Sequence, residues 1–139
     1  MAKSEKMPPL SEAQLEIMNV VWDNREVTVA QVWQELSQRR RVARNTVQTM
    51  ITRLEDRGWL KHRSEGIAFW YTATSSRKVT LRRMLRRMTD TAFGGSTAGM
   101  VMALLEGQSL SADEAEHIQG MIEDVQRSKK QNKGRGKKK

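Results

Sequence analysis

The hydrophobic period of this chain changes from 3.6 to 2 at Gly58, and that switch constrains the fold more than any other feature. Before it, in "ARNTVQTMITRLEDRG", Val47, Met50, Ile51 and Leu54 fall at i, i+3, i+4 and i+7. They form the stripe of a helix, closed by a glycine suited to the left-handed C′ position. After it, "WLKHRSEGIAFWYTAT" alternates, with aromatic and β-branched residues on the return. The pattern predicts a strand over 60–63, a turn at 64–66 and a strand over 68–72.

Two helices precede the switch. Ser11 with Gln14, and Thr28 with Gln31, read as capping boxes, with Leu10 stapled to Leu15 and Val27 to Val32. Those helices are expected to end near Asn24 and Gln38. Three helices and a hairpin make a winged helix-turn-helix over 10–74, after a disordered lead-in at 1–9.

The remainder reads as helical. A long helix opens at Ser75 or Ser76, with Arg82, Arg83, Arg86 and Arg87 opposite its apolar face. "FGGSTAG" breaks it at 93–99, and "MVMALLEG" follows as a short apolar helix. Ser111 with Glu114 is a third capping box, opening a helix with Ala115, Ile118, Ile122 and Val125 on one face. Three amphipathic helices over 75–126 are too few to close a core, so a second copy in a two-fold dimer is their expected partner. The fold class is mainly α with a small β-hairpin wing: an N-terminal winged helix-turn-helix followed by a C-terminal helical dimerisation region.

Charge is segregated. Of the net +9, residues 127–139 hold eight Lys or Arg and no acid, leaving +1 on residues 1–126. That last stretch reads as a disordered cationic arm able to raise non-specific DNA affinity. Residues 39–63 carry eight basic residues against Glu55 and Asp56, whereas residues 106–124 carry six acids and no Lys or Arg. A basic region beside a near-neutral remainder points to a polyanion at one face.

The helix at 43–57 shows what that face reads. Asn45, Gln48, Thr49 and Thr52, flanked by Arg44 and Arg53, lie opposite its apolar stripe, with no acid until Glu55. Amides pair bidentately with adenine, Arg with guanine, and Thr meets the thymine methyl in the major groove. Arg39, Arg40 and Arg41 in the preceding turn, with Lys61, His62 and Arg63 on the wing, suit phosphates or the minor groove. Trp22, Trp33, Trp59 and Trp70 are read as core. No nucleophile–base pair, phosphate-binding loop or carboxylate dyad stands out, so an enzyme is the least favoured class. His62 and His117 lack a ligand pattern, no cofactor is implied, and there is no cysteine for a thiolate site. No secretory leader or membrane span is apparent, which fits a cytoplasmic protein.

"LSEAQLEIMNVVW", "ARNTVQTMITRLEDRGWLKH" and "FWYTAT", with the "FGGS" region after them, together resemble the penicillinase-repressor family of BlaI/MecI type, over roughly residues 8–125. The resemblance implies a homodimeric transcriptional repressor that grips a palindromic, double-stranded DNA operator with its winged helix. It places the contacts at Arg44, Asn45, Thr46, Gln48 and Thr49, with Arg53 nearer the backbone. In the β-lactam branch a membrane sensor–protease system leads to cleavage within a dimerisation helix. Aligning on "MVMALLE" puts the matching bond between Ala103 and Leu104, where that branch's Asn–Phe pair is absent. The copper-responsive branch uses C-terminal cysteines, which this chain lacks.

The DNA-contact set is therefore Arg41, Arg44, Asn45, Thr46, Gln48, Thr49, Arg53, Lys61 and Arg63, on an inverted-repeat operator. Two alternatives stand beside the repressor: a sequence-independent architectural DNA-binding protein that leans on the tail and the Arg-rich helix, and a protein–protein adaptor.

Overall fold

A computed structural model describes residues 7–137, with side chains to residue 132. The chain divides into two compact units, residues 1–88 and 89–139. The first holds α1 (Glu12–Asn24), α2 (Val29–Ser37), α3 (Arg44–Asp56), the hairpin β1 (Leu60–Glu65) and β2 (Ala68–Ala73), and most of α4 (Arg77–Ala92). The second holds α5 (Thr97–Glu106) and α6 (Ala112–Lys137).

Local sequence sets these bounds. Ser11 accepts from the Gln14 amide while the Gln14 side chain accepts from the Ser11 amide, so the first capping box is complete. Thr28 accepts from the Gln31 amide, and Ser76, Ser96 and Ser111 cap α4, α5 and α6 in the same way. At the end of α3, Gly58 takes φ +93°. Its amide donates to Glu55 O, and the Trp59 amide reaches back to Leu54 O at 2.9 Å, the paired bonds of a Schellman stop.

The core of the first unit comes from the apolar stripes: Ile17, Met18 and Val21 of α1, Val32 and Leu36 of α2, Val47, Ile51 and Leu54 of α3. Leu60 and Tyr71 close it from the hairpin, and Val27 bridges to Tyr71. Three tryptophans tie segments together through their indole N–H: Trp22 to Ser75 O, Trp33 to Val42 O, Trp59 to Pro8 O.

Several expectations are corrected. Of the lead-in, residues 1–6 lie outside the described set, but Met7 is buried against the α3 terminus and Pro8 accepts from Trp59. A Pro-Pro segment without periodicity gives no sign of that. The hairpin turn is Gly66-Ile67, not 64–66, since Glu65 pairs with Ala68. Gly66 at φ 63° in the first central position, with Ile67 negative, gives the type II′ geometry that matches strand twist. The break after α4 narrows to 93–96, because Ser96 already caps α5. The arm expected to be disordered from 127 is helical to Lys137, continuing α6; Lys, Arg and Gln sustain helix once it is nucleated. Residues 138–139 lie outside the described set. Among the described residues no helix is long and apolar enough to cross a membrane.

Candidate nucleic-acid interface

Burying Val47, Ile51 and Leu54 fixes the rotation of α3 and turns the opposite side outward. On that side Asn45, Gln48, Thr49, Thr52 and Arg53 line one open depression of about 430 Å³. Among the described residues no carboxylate lines it. Among the described residues none gives a hydrogen bond or ion pair to the side chains of Asn45, Gln48, Thr49 or Arg53, so their donors and acceptors face solvent. Thr52 differs, because its hydroxyl donates to Gln48 O at 2.9 Å. Thr52 lines the depression although it is not one of the contact residues expected from sequence.

Arg44 and Thr46 are exposed in the first turn of α3 and do not line the depression. Ala43 precedes them with no side-chain cap, unlike the Ser or Thr before each other helix. The positive end of the helix dipole thus meets solvent at this turn without an acceptor side chain, a setting that favours an anion. Of the arginines before α3, Arg41 is exposed, while Arg40 is drawn to Glu16 of α1 at 3.0 Å.

Register separates the wing residues that sequence had grouped. His62 pairs with Tyr71 and Arg63 with Trp70, so alternate residues take opposite faces. His62 shares the face of Leu60 and Tyr71, hydrogen-bonded to Glu55 at the end of α3 and stacked on Phe69 at 4.2 Å. Lys61, Arg63 and Glu65 share the outer face, with Trp70 only half-buried beneath the Arg63 guanidinium at 5.8 Å. Trp70 is therefore not core.

Arg63 is not a vacant cation. Its Nε and Nη2 donate to Glu26 at 2.7 and 2.9 Å, and its Nη1 donates to Glu65 at 2.7 Å. Those bonds hold the Glu26 carboxyl below its usual range, first through the hydrogen bond, and push the already basic guanidinium further up. Sequence singles out neither glutamate: Glu65 is only two residues from Arg63, but nothing local marks Glu26, 37 positions away.

In the second unit, α5 carries Ala103 and Leu104 on its exposed surface. Val101, Met102 and Leu104, and on α6 Met121, Ile122 and Val125, are each at least 40 % exposed. Among the described residues no group of three His, Cys, Asp or Glu is placed to hold a metal ion.

Comparison with known proteins places this geometry. Residues 10–124 match the family model described as penicillinase repressor. The penicillinase repressor of Bacillus licheniformis is 30 % identical over 127 residues, covering 91 % of this chain and 99 % of the relative. The methicillin resistance regulatory protein MecI of Staphylococcus aureus (strain N315) is 21 % identical over 113 residues, 81 % of this chain and 92 % of the relative. Among solved structures, the apo form of wild-type MarR from E. coli aligns with TM-score 0.51 and 15 % identity. It covers 84 % of this chain and 77 % of that one, a likeness of fold.

Proposed function

The chain belongs to the penicillinase repressor family, and on that footing we propose that it is a homodimeric transcriptional repressor of an inverted-repeat DNA operator. It has no enzymatic role. The observation that carries the reading is the acid-free depression of Asn45, Gln48, Thr49, Thr52 and Arg53 on the outer side of a helix whose inner side is core. A helix so fixed enters the major groove with its amides and hydroxyls at base edges. Asn45, Gln48 and Thr49 read bases, with Arg44 and Thr46 at the first turn. Arg41, Arg53 and Lys61 take phosphates, and Arg63 joins them where a phosphate displaces its glutamates. The protein works in the cytoplasm, beside the DNA it controls.

The apolar side chains left exposed on α5 and α6 support a second copy as partner, which would set the half-site spacing. Cleavage between Ala103 and Leu104 by a sensor–protease system is the proposed release step, because it would sever α5 within that surface. The functional division at 74–75 belongs to the same reading.

Fluorescence-anisotropy titration against DNA upstream of the protein's own gene, and against a scrambled duplex, tests the proposal at two salt concentrations. A specific repressor prefers the upstream DNA by about a thousand-fold at both. Equal binding that collapses as salt rises would instead support the architectural reading.

A further inference from the structure

We propose that the cationic end of α6 is a second contact for duplex DNA, gripping phosphates outside the operator. It rests on the reading of this chain as a DNA-binding repressor but concerns residues outside the family match, which ends at residue 124. Helix α6 crosses that point unbroken and runs to Lys137, so the basic segment is carried on the same helix as the family's part. From residue 127 onward the sequence holds eight Lys or Arg and no acid, almost the whole net charge of the protein.

Arg127, Lys129 and Lys130 are exposed. Arg127 meets Asp124 at 3.9 Å, and no acid among the described residues pairs with Lys129 or Lys130. Arg127 and Lys130 stand three apart on the helix, like charges that repel one another. A polyanion relieves that repulsion. At about 1.5 Å per residue the segment from 126 to 137 extends roughly 18 Å. Duplex DNA presents one phosphate charge per about 1.7 Å of axis, so several phosphates fall within that reach.

The composition selects among polyanions. "RSKKQNKGRGKKK" contains no Leu, Ile, Val, Met or aromatic residue. An interfacial membrane helix needs an apolar face to bury, and this segment has none. A phosphodiester backbone requires only the charges.

The test uses the full chain and a full-length variant carrying Lys129→Gln, Lys130→Gln and Lys133→Gln, changes that keep helix propensity. Both are titrated against the operator trimmed to its footprint and against the same operator with flanking duplex, at several salt concentrations. On the flanked DNA the variant should lose about tenfold in affinity, and its plot of log K against log salt should be shallower by roughly two units per protomer. On the trimmed DNA the two proteins should bind alike, and the operator-to-scrambled ratio should not change. Coincident salt plots on flanked DNA would overturn the proposal. So would loss of binding to phosphatidylglycerol vesicles in the variant with DNA binding intact, which assigns the segment to membranes. If the wild type shows no operator preference, the repressor reading fails separately, and flanked scrambled duplex still reports on the arm.

Discussion

Arg63 gives two guanidinium N–H bonds to Glu26, from Nε at 2.7 Å and Nη2 at 2.9 Å, while Glu65 takes a third at 2.7 Å. One cation faces two anions, so the cluster of Glu26, Arg63 and Glu65 carries a net charge of −1. The carboxylates occupy the fork that would otherwise clasp phosphate oxygens. Glu26→Gln removes the competitor's charge. It should tighten binding to every duplex several-fold and steepen the salt dependence by up to about 0.9 units per protomer. In the unaltered protein Arg63→Ala should cost less affinity than Lys61→Ala. Anisotropy across a salt series reads both, and weaker binding by Glu26→Gln would mean that Glu26 supports Arg63 instead of withholding it.

Gln48 lines the α3 depression and is exposed. Gln48→Ala should remove about 1–3 kcal/mol of discrimination at one base pair and leave binding to scrambled duplex unchanged. Titration against operators substituted one base pair at a time locates that position. Equal losses on operator and scrambled DNA would show that Gln48 does not read a base.

Much of this was legible locally. Ser11, Thr28 and Ser111 announce their helices because capping depends only on residues three apart, and Gly58 announces the end of α3 because a left-handed C′ position favours glycine. The face of α3 followed from its period of 3.6. What sequence hid was non-local: Met7 seated on the α3 terminus, Glu26 across from Arg63, and the strand alternation that sends His62 and Lys61 to opposite faces. The helical arm is not legible in its composition, because a run of charge says nothing of backbone when the preceding helix has already supplied the nucleus.

Gly58 tests the Schellman stop. A side chain at φ +93° is strained whatever room it has, and its Cβ would also sit 3.6 Å from Met7 Cγ and Sδ, an ordinary contact. The penalty should therefore be backbone strain, about 1 kcal/mol, seen as a lowered melting temperature in calorimetry. Gly66→Ala, at φ 63° with nothing within 4 Å, should cost a similar amount for the same reason. A cost at Gly58 several times larger than at Gly66 would mean that Met7 packing matters more than conformation.

Tyr71 is the chain's one tyrosine, buried where β2 meets Val27 through bonds of 2.7 and 3.0 Å. Burial raises its phenol above the ordinary value of 10, and the nearby Glu55 charge adds to the effect. Both favour the neutral phenol in the folded state. A raised folded pKa gives a contribution to stability that is complete below pH 10 and lost as pH climbs through the folded value. Tyrosinate absorbance reports this residue alone, so its titration midpoint should lie above that of free tyrosine and coincide with the onset of alkaline unfolding. Tyr71→Phe keeps the ring in the core but removes the ionisation, and its melting temperature should fall less steeply above pH 10 than that of the unaltered protein. Parallel alkaline declines in the two proteins would place the sensitive group elsewhere.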